Sequence, residues 1–124
     1  MSEVKHTINW FEIPVTQIDR AVKFYSAVFG GEMQKMDWEG VRMAFFPGEK
    51  GSVHGALVQG QGYVPSDKGT VVYLNGSPDL SVPLSKIEKA GGKVLKQKFS
   101  IGEHGFIAFF QDTEGNKVAL HSMK

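Results

Sequence analysis

The clearest periodic signal in this chain lies at residues 16–31, where apolar side chains recur every three or four positions. This spacing puts them on one face of an α-helix. The apolar positions are Ile18, Ala21, Val22, Tyr25, Val28 and Phe29. Thr16 and Asp19 are predicted as N-cap and N3, close to a capping box. Gly30-Gly31 ends the helix, because glycine accepts the left-handed conformation of a C-terminal cap.

A weaker copy of this pattern begins about sixty residues later, at a spacing typical of an internal duplication. A strand over 70–74 leads through a turn into a helix predicted over 81–90, which buries Leu84 and Ile87. Pro83 fits only in the first turn of that helix, where its missing N–H costs little. This second helix also ends in two glycines, at positions 91 and 92.

Short alternating runs typical of β-strands surround both helices, and turn residues separate them. The runs are 8–15, 33–38, 41–46, 53–58, 93–99, 106–111 and 117–121. The resulting order is βαβββ twice, an α+β fold with a curved mixed sheet around a cleft. We expect one domain over 1–124, made of modules 1–59 and 69–124 joined by a glycine-rich linker at 60–68.

Composition excludes several classes of protein. The net charge of +1 comes from scattered acids and bases, so no basic stripe predicts a nucleic acid or an anionic membrane as partner. There is no cysteine, which excludes disulfides and cysteine-based zinc sites. No apolar stretch approaches the roughly 18–20 residues of a membrane span, and the first ten residues are too polar for a signal peptide. We therefore expect a cytoplasmic protein.

Two local motifs carry a resemblance to a known family. The first strand contains Trp-Phe-Glu-Ile-Pro at 10–14 and runs into a helix bearing Phe24-Tyr25, and the last hairpin contains Asp112, Gly115 and Asn116. The chain resembles the vicinal-oxygen-chelate superfamily of glyoxalase I, bleomycin-resistance proteins and extradiol dioxygenases. It looks most like the lactoylglutathione-lyase-related branch of unassigned function, although Thr113 replaces the usual proline. The resemblance implies a small-molecule cleft between paired modules and a homodimer.

The resemblance also implies four metal-ligand positions, normally His, Glu or Gln. Alignment on the motifs places them at Trp10, near Gly55 or Ala56, at about Thr70, and at Ala119. Indole, methyl and hydrogen side chains cannot coordinate a metal, and a lone threonine hydroxyl is a poor ligand. We therefore expect the standard four-ligand metal site to be absent.

Strand parity predicts a metal site displaced from the aligned positions. Residues two apart on a strand share one face, and Glu12, His54 and His121 each lie two residues from an aligned position. These three side chains would form a two-His-one-carboxylate site for Zn, Ni, Mn or Fe. Without a metal, Glu12 and His121 would form a catalytic acid–base pair. In the purely structural alternative, Glu12 only accepts a hydrogen bond within a polar seam.

Aromatic residues complete the expected cleft. Trp10 stands at a former ligand position, where it would either stack on a flat or apolar compound or plug the cleft. The expected ligand-binding residues are Trp10, Trp38, Phe45, His54 and Phe109. The predicted function is a glyoxalase-like enzyme of unknown substrate, acting as a lyase, isomerase or dioxygenase. The alternative is a non-catalytic protein that binds or sequesters a small molecule such as an antibiotic.

Overall fold

A computed structural model describes residues 5–124. The strands are β1 (Trp10–Pro14), β2 (Gln34–Trp38), β3 (Val41–Phe45), β4 (His54–Gln59), β5 (Tyr73–Asn75), β6 (Lys93–Ser100), β7 (Phe106–Gln111) and β8 (Lys117–Ser122). The helices are α1 (Ile18–Phe29) and α2 (Ser81–Leu84), with a 3₁₀ turn at Gly102–His104. The predicted α+β order of two βαβββ units is confirmed.

The strands form two four-stranded mixed sheets, one from each half of the chain. The strand order is β1-β4-β3-β2 in sheet 1 and β5-β8-β7-β6 in sheet 2. In both sheets the first strand pairs in parallel with the last strand of its unit, and the other pairings are antiparallel. The matching orders agree with the duplication that the sequence indicates.

The start of α1 differs from the predicted capping box. The helix begins at Ile18, and its N-cap residue, Gln17, makes no side-chain cap hydrogen bond. Distant side chains accept the first amide protons instead: Glu114 accepts those of residues 16 and 17, and Gln59 accepts that of Ile18 at 2.7 Å. The predicted end is confirmed, because Gly30 adopts φ 78° and its N–H donates to the Ser26 carbonyl.

The second helix is shorter than predicted. Only Ser81–Leu84 is α-helical, and the chain continues through turns to residue 91. Leu84 and Ile87 are nevertheless buried, and Pro83 lies inside the first turn as expected. A single turn of helix is therefore enough to place the apolar side chains of this segment in the core.

The main core lies between the two halves. Its buried cluster contains apolar residues of α1 and of both sheets, including Ile13, Phe24, Leu57, Phe110 and Leu120. The rings of Phe24 and Phe110 lie 6.0 Å apart between centroids and join the helix to sheet 2. Among residues 5–124, no helix is long and apolar enough to span a membrane.

Candidate functional site

Strand register defines which side chains share a face of sheet 1. Trp10 pairs with His54 and Glu12 pairs with Ala56 in the parallel β1–β4 ladder. Paired residues of neighbouring strands point to the same side, and alternate residues point to opposite sides. Phe11, between Trp10 and Glu12, packs against the buried core, and Ile13, which follows Glu12, belongs to it. Trp10, Glu12 and His54 therefore lie on the face directed away from the core, which we call the outer face of the sheet.

Sheet 2 repeats this arrangement. Tyr73 pairs with Ala119, and Asn75 pairs with His121, in the parallel β5–β8 ladder. Tyr73 is thus the counterpart of Trp10, since each begins the first strand of its sheet. Each also packs against a phenylalanine of its own sheet. The ring centroids of Trp10 and Phe45 lie 6.1 Å apart, and so do those of Tyr73 and Phe109.

Strand register gives the neighbours of two of the aligned ligand positions. Trp10 pairs with His54, and Ala119 pairs with Tyr73. A side chain at position 55 is sterically excluded, because a Cβ there would lie 2.1 Å from the Phe11 carbonyl oxygen.

The Glu12 carboxylate is exposed and receives two hydrogen bonds. Its Oε2 accepts from Trp10 Nε1 at 3.3 Å, and its Oε1 accepts from the Tyr63 hydroxyl at 3.3 Å. The negative charge of Glu12, followed by partial desolvation and the hydrogen bond itself, raises the pKa of Tyr63. Tyr63 therefore remains a protonated donor, and the pair holds Glu12 in place at the outer face.

His54 and Trp10 form a local aromatic group. The His54 ring stands edge-on to the Trp10 indole, with centroids 5.7 Å apart. His54 Nδ1 lies 3.1 Å from the carbonyl oxygen of Ser52. Because a carbonyl oxygen only accepts, Nδ1 must carry the proton in this contact. His54 lines a cavity of about 170 Å³, together with Phe11, Phe46 and other residues of both sheets.

His121 is held by the turn that follows β6. Its Nε2 lies 2.6 Å from the carbonyl oxygen of His104, so Nε2 carries the proton and Nδ1 is the acceptor nitrogen. His121 lines a cavity of about 480 Å³, with Tyr73, Asn75 and Ser77. It shares no hydrogen bond with Glu12 in this arrangement.

The predicted three-residue metal site is not formed. Glu12, His54 and His121 line three different cavities. Within residues 5–124, no group of three or more His, Asp or Glu side chains is placed to hold a metal ion. Each side chain is oriented by its own neighbours: Glu12 by Trp10 and Tyr63, His54 by the Ser52 carbonyl and His121 by the His104 carbonyl. Strand parity put the three side chains on equivalent faces, but it did not determine which neighbours each would contact.

The predicted aromatic ligand-binding residues are also dispersed. Trp10 and Phe45 pack together in sheet 1, and Phe109 lies in sheet 2. Trp38 is 63% exposed at the end of β2, the strand at the far edge of sheet 1 from β1. The five side chains therefore do not line one pocket within a single chain.

The cavity beside Glu12 contains residues that the sequence reasoning missed. It measures about 270 Å³ and lies where β1, β8 and the predicted linker meet. Lys68 and Lys117 bring two positive charges to it. Lys117 lies two residues before Ala119 on the same strand, so strand parity would have predicted that the two side chains share one face. Tyr63 and Lys68 lie in the linker, where no periodic pattern predicts orientation.

The late hairpin motif has a structural role in this chain. Asp112 accepts hydrogen bonds from the Tyr25 hydroxyl at 2.7 Å and from the amides of Glu114 and Asn116. Asn116 in turn donates to the Pro14 carbonyl at 2.7 Å and accepts from the amide of Ser66. The motif thus joins β1, α1 and the linker to the last hairpin, below the Glu12 cavity.

Comparison with known proteins agrees with this architecture. The family model of the "Glyoxalase/Bleomycin resistance protein/Dioxygenase superfamily" matches residues 7–120. A glyoxylase-like domain-containing protein from Didymella fabae is 34% identical over 124 positions, covering 91% of each protein.

Solved structures show the same fold. A glyoxalase/bleomycin resistance protein from Albidiferax ferrireducens superposes with a TM-score of 0.71 over 96% of this chain and 100% of its own, at 14% identity. Glyoxalase I from Zea mays superposes with a TM-score of 0.65 at 27% identity over 91% of this chain. The match spans only 43% of the maize chain. The chain belongs to the glyoxalase/bleomycin resistance protein/dioxygenase superfamily.

Proposed function

We propose that this protein is a glyoxalase-like enzyme that moves a proton on a small oxygen-bearing molecule, with Glu12 as the base and without the standard four-ligand metal site. The observation that carries the proposal is the placement of Glu12. Its carboxylate is exposed at a cavity of about 270 Å³ and is held by two hydrogen-bond donors. A general base needs this combination of access and fixed geometry.

The proposed step is removal of a proton from carbon beside a carbonyl group. Glu12 takes the proton, and the electron pair of the C–H bond passes to the carbonyl oxygen. When the Glu12 carboxyl group swaps this proton with solvent and then protonates the same carbon, the substrate exchanges one hydrogen with solvent. On an α-hydroxy carbonyl compound, Glu12 can instead deliver the proton to the former carbonyl carbon while the hydroxyl proton passes to the former carbonyl oxygen, which gives the isomer. Trp10 and Tyr63 both donate to the carboxylate, and they fix the two oxygens of Glu12 during this transfer.

Hydrogen exchange tests this step. Proton NMR in deuterated buffer follows the loss of the methylene signal of 2,3-pentanedione, a small vicinal diketone. We expect exchange to be faster with the protein than in buffer alone. In Glu12→Gln the protein-catalysed rate should fall at least about a hundredfold, as it does when a general base is removed. Glu49→Gln, at an exposed glutamate in a loop of the same half, is the matched control.

Two other outcomes would contradict the proposal. If Glu12→Gln exchanges the methylene protons as fast as the native protein, Glu12 is not the base. A protein that binds the diketone but exchanges no proton would indicate a binding protein instead of an enzyme.

We also propose that two copies associate through the β2 edge of the outer face of sheet 1, at the opposite edge of the sheet from Glu12. This edge exposes large apolar side chains, with Met36 45% and Trp38 63% exposed. Apolar patches of this kind commonly mark protein interfaces. Size-exclusion chromatography with light scattering should give twice the chain mass for the native protein and the mass of a single chain for Trp38→Glu. A native protein that elutes as a monomer at all concentrations would overturn this proposal.

A further inference from the structure

The cavity beside Glu12 combines one negative and two positive side chains at the junction of both sheets and the linker. We infer that it takes a small organic anion, with the anionic group at Lys117 and Lys68 and the reacting carbon at Glu12. This inference rests on the proposed function, because it names the class of substrate for the same site.

Lys117 provides the first positive charge. Its side chain is half-buried, and its Nζ lies 4.8 Å from the centroid of the Phe109 ring, so its position is restrained by packing. Among residues 5–124, no carboxylate lies within ion-pair distance of Lys117. A lysine that lines a cavity and has no protein counter-ion there favours an anionic ligand.

Lys68 provides the second positive charge from the linker. It is largely exposed, and its only carboxylate contact within the described part of the chain is with its neighbour Asp67 at 3.4 Å. An exposed pair of this kind contributes little and rearranges easily. Ser66 and Thr70, which carry hydroxyl groups, also line the cavity. Ammonium and hydroxyl groups together match the oxygens of a carboxylate or a phosphate ester.

The rest of the lining limits the size and character of the ligand. Five of its eleven residues are aliphatic, namely Ile13, Pro14, Val64, Val72 and Val118. A volume of about 270 Å³ lies just below the usual range for drug-sized ligands. The cavity therefore suits a short aliphatic molecule with one charged end.

The opposite charges also orient the ligand. Glu12 repels an anionic group and attracts a hydroxyl or an acidic C–H, whereas the lysines attract the anion. When Glu12 removes the proton, negative charge develops on the carbonyl oxygen of the substrate. The ammonium group of Lys117 would stabilise that oxygen, because a positioned cation acts most strongly where charge develops.

Two matched pairs of probes test the inference by calorimetric or NMR titration. The first pair is 2-oxobutanoate and 2,3-pentanedione, which differ only in carboxylate against acetyl. The second pair is hydroxyacetone phosphate and hydroxyacetone. We expect an anion to bind at least about tenfold more tightly than its neutral partner, which corresponds to about 1.4 kcal/mol. Tighter binding in the first pair alone assigns a carboxylate substrate, and in the second pair alone a phosphate ester.

Lysine variants place the anion in the cavity. Lys117→Met should remove most of the preference for the anion over its neutral partner, and Lys68→Met should have a smaller effect in the same direction. Lys89→Met, an exposed lysine beyond α2, is the control and should change nothing. Equal binding of anion and neutral partner, or an anion preference that survives in the Lys68→Met, Lys117→Met double variant, would overturn the inference.

The failure of this inference is distinguishable from failure of the proposed function. Glu12→Gln removes the base and one negative charge, so it should abolish exchange while anion binding stays equal or tightens. If Glu12→Gln loses exchange but the lysine variants bind the anion as the native protein does, Glu12 stands as the base and the anion site is overturned. If Glu12→Gln keeps its exchange rate but the lysine variants lose the preference for the anion, the anion site stands and the role of Glu12 as the base is overturned.

Discussion

The guanidinium group of Arg20 lies 2.7 Å from the Glu114 carboxylate, although 94 residues separate them in the chain. The same carboxylate accepts the amide protons of Thr16 and Gln17, each at 2.9 Å, in front of α1. Anionic groups at this position stabilise a helix through its exposed N–H groups and its dipole. Glu114 of the last hairpin is therefore the N-terminal cap of α1 and a link between the two halves.

Protonation of Glu114 should weaken this link. Burial raises the pKa of Glu114, but hydrogen bonds from Arg20, Gln17, Thr113 and Thr16 outweigh it and lower the pKa from 4.5 to about 2. A carboxyl group whose pKa is lower in the folded state stabilises the fold above its unfolded pKa. That contribution is fully present above pH 4.5 and is lost as the pH falls towards about 2.

The Glu114→Gln variant makes this pH effect measurable. We expect a loss of about 2–3 kcal/mol in the free energy of unfolding at neutral pH. The difference between the variant and the native protein should shrink steadily between pH 4.5 and about 2. Urea unfolding across this range measures both quantities. A difference that stays constant with pH would show that the carboxylate charge does not stabilise the fold.

The buried pair of Tyr25 and Asp112 should contribute to stability and not to catalysis. The Tyr25 hydroxyl donates to Asp112 Oδ2 at 2.7 Å, and Tyr25→Phe should cost about 1.5–3 kcal/mol, as expected for a hydrogen bond to a charged group. Asp112→Ala should cost more, because it also leaves the amides of Glu114 and Asn116 without their acceptor. Thermal or urea unfolding measures these losses.

Tyr63→Phe is the control for the Tyr25 substitution. It removes a hydroxyl whose bond to Glu12 is exposed, so it should cost under about 1 kcal/mol. A larger loss of stability in Tyr63→Phe than in Tyr25→Phe would contradict the assignment of Asp112 as the structural centre.

The contact between Glu12 and Tyr63 predicts a change in titration. The negative charge of Glu12 raises the pKa of the Tyr63 phenol above its ordinary 10.0. Glu12→Gln removes that charge, so the pKa of Tyr63 should fall towards 10.0. Tyrosinate absorbance against pH measures the change, and subtraction of the same curve for Tyr63→Phe isolates this residue. Identical curves for Glu12→Gln and the native protein would show that the two groups are apart in solution.

Metal titration should show no site shared by Glu12, His54 and His121. Because these side chains line separate cavities, their substitution by glutamine or asparagine should leave the affinity for Zn²⁺, Ni²⁺, Mn²⁺ or Fe²⁺ unchanged. Equilibrium dialysis followed by elemental analysis measures the bound metal. One ion per chain that is lost in all three single variants would restore the displaced site, formed between chains or after a rearrangement.

Local patterns predicted most of the fold. The helical spacing over 16–31 and the terminal Gly30 set the face and the end of α1, and the spacing after the second strand–turn unit correctly put Leu84 and Ile87 in the core. These properties depend on residues that are near neighbours in the chain, so the pattern itself contains them.

Contacts between distant residues decided what the patterns could not. Thr16 carries the local signature of an N-cap, but Glu114 takes that role from the other half of the molecule. Tyr63 lies in a segment without periodicity, yet its hydroxyl contacts the candidate base.

The candidate site shows the same division between sequence and tertiary structure. The sequence by itself determined the family and the two βαβββ units, and strand parity, a local property, predicted that Glu12 and His121 both face the cleft. Only the tertiary structure decided that these two side chains lie at separate cavities and that Glu12 shares its cavity with Lys68 and Lys117. The distance between the sheets follows from how α1 and the last hairpin pack in the core, and no local pattern in the chain encodes that packing.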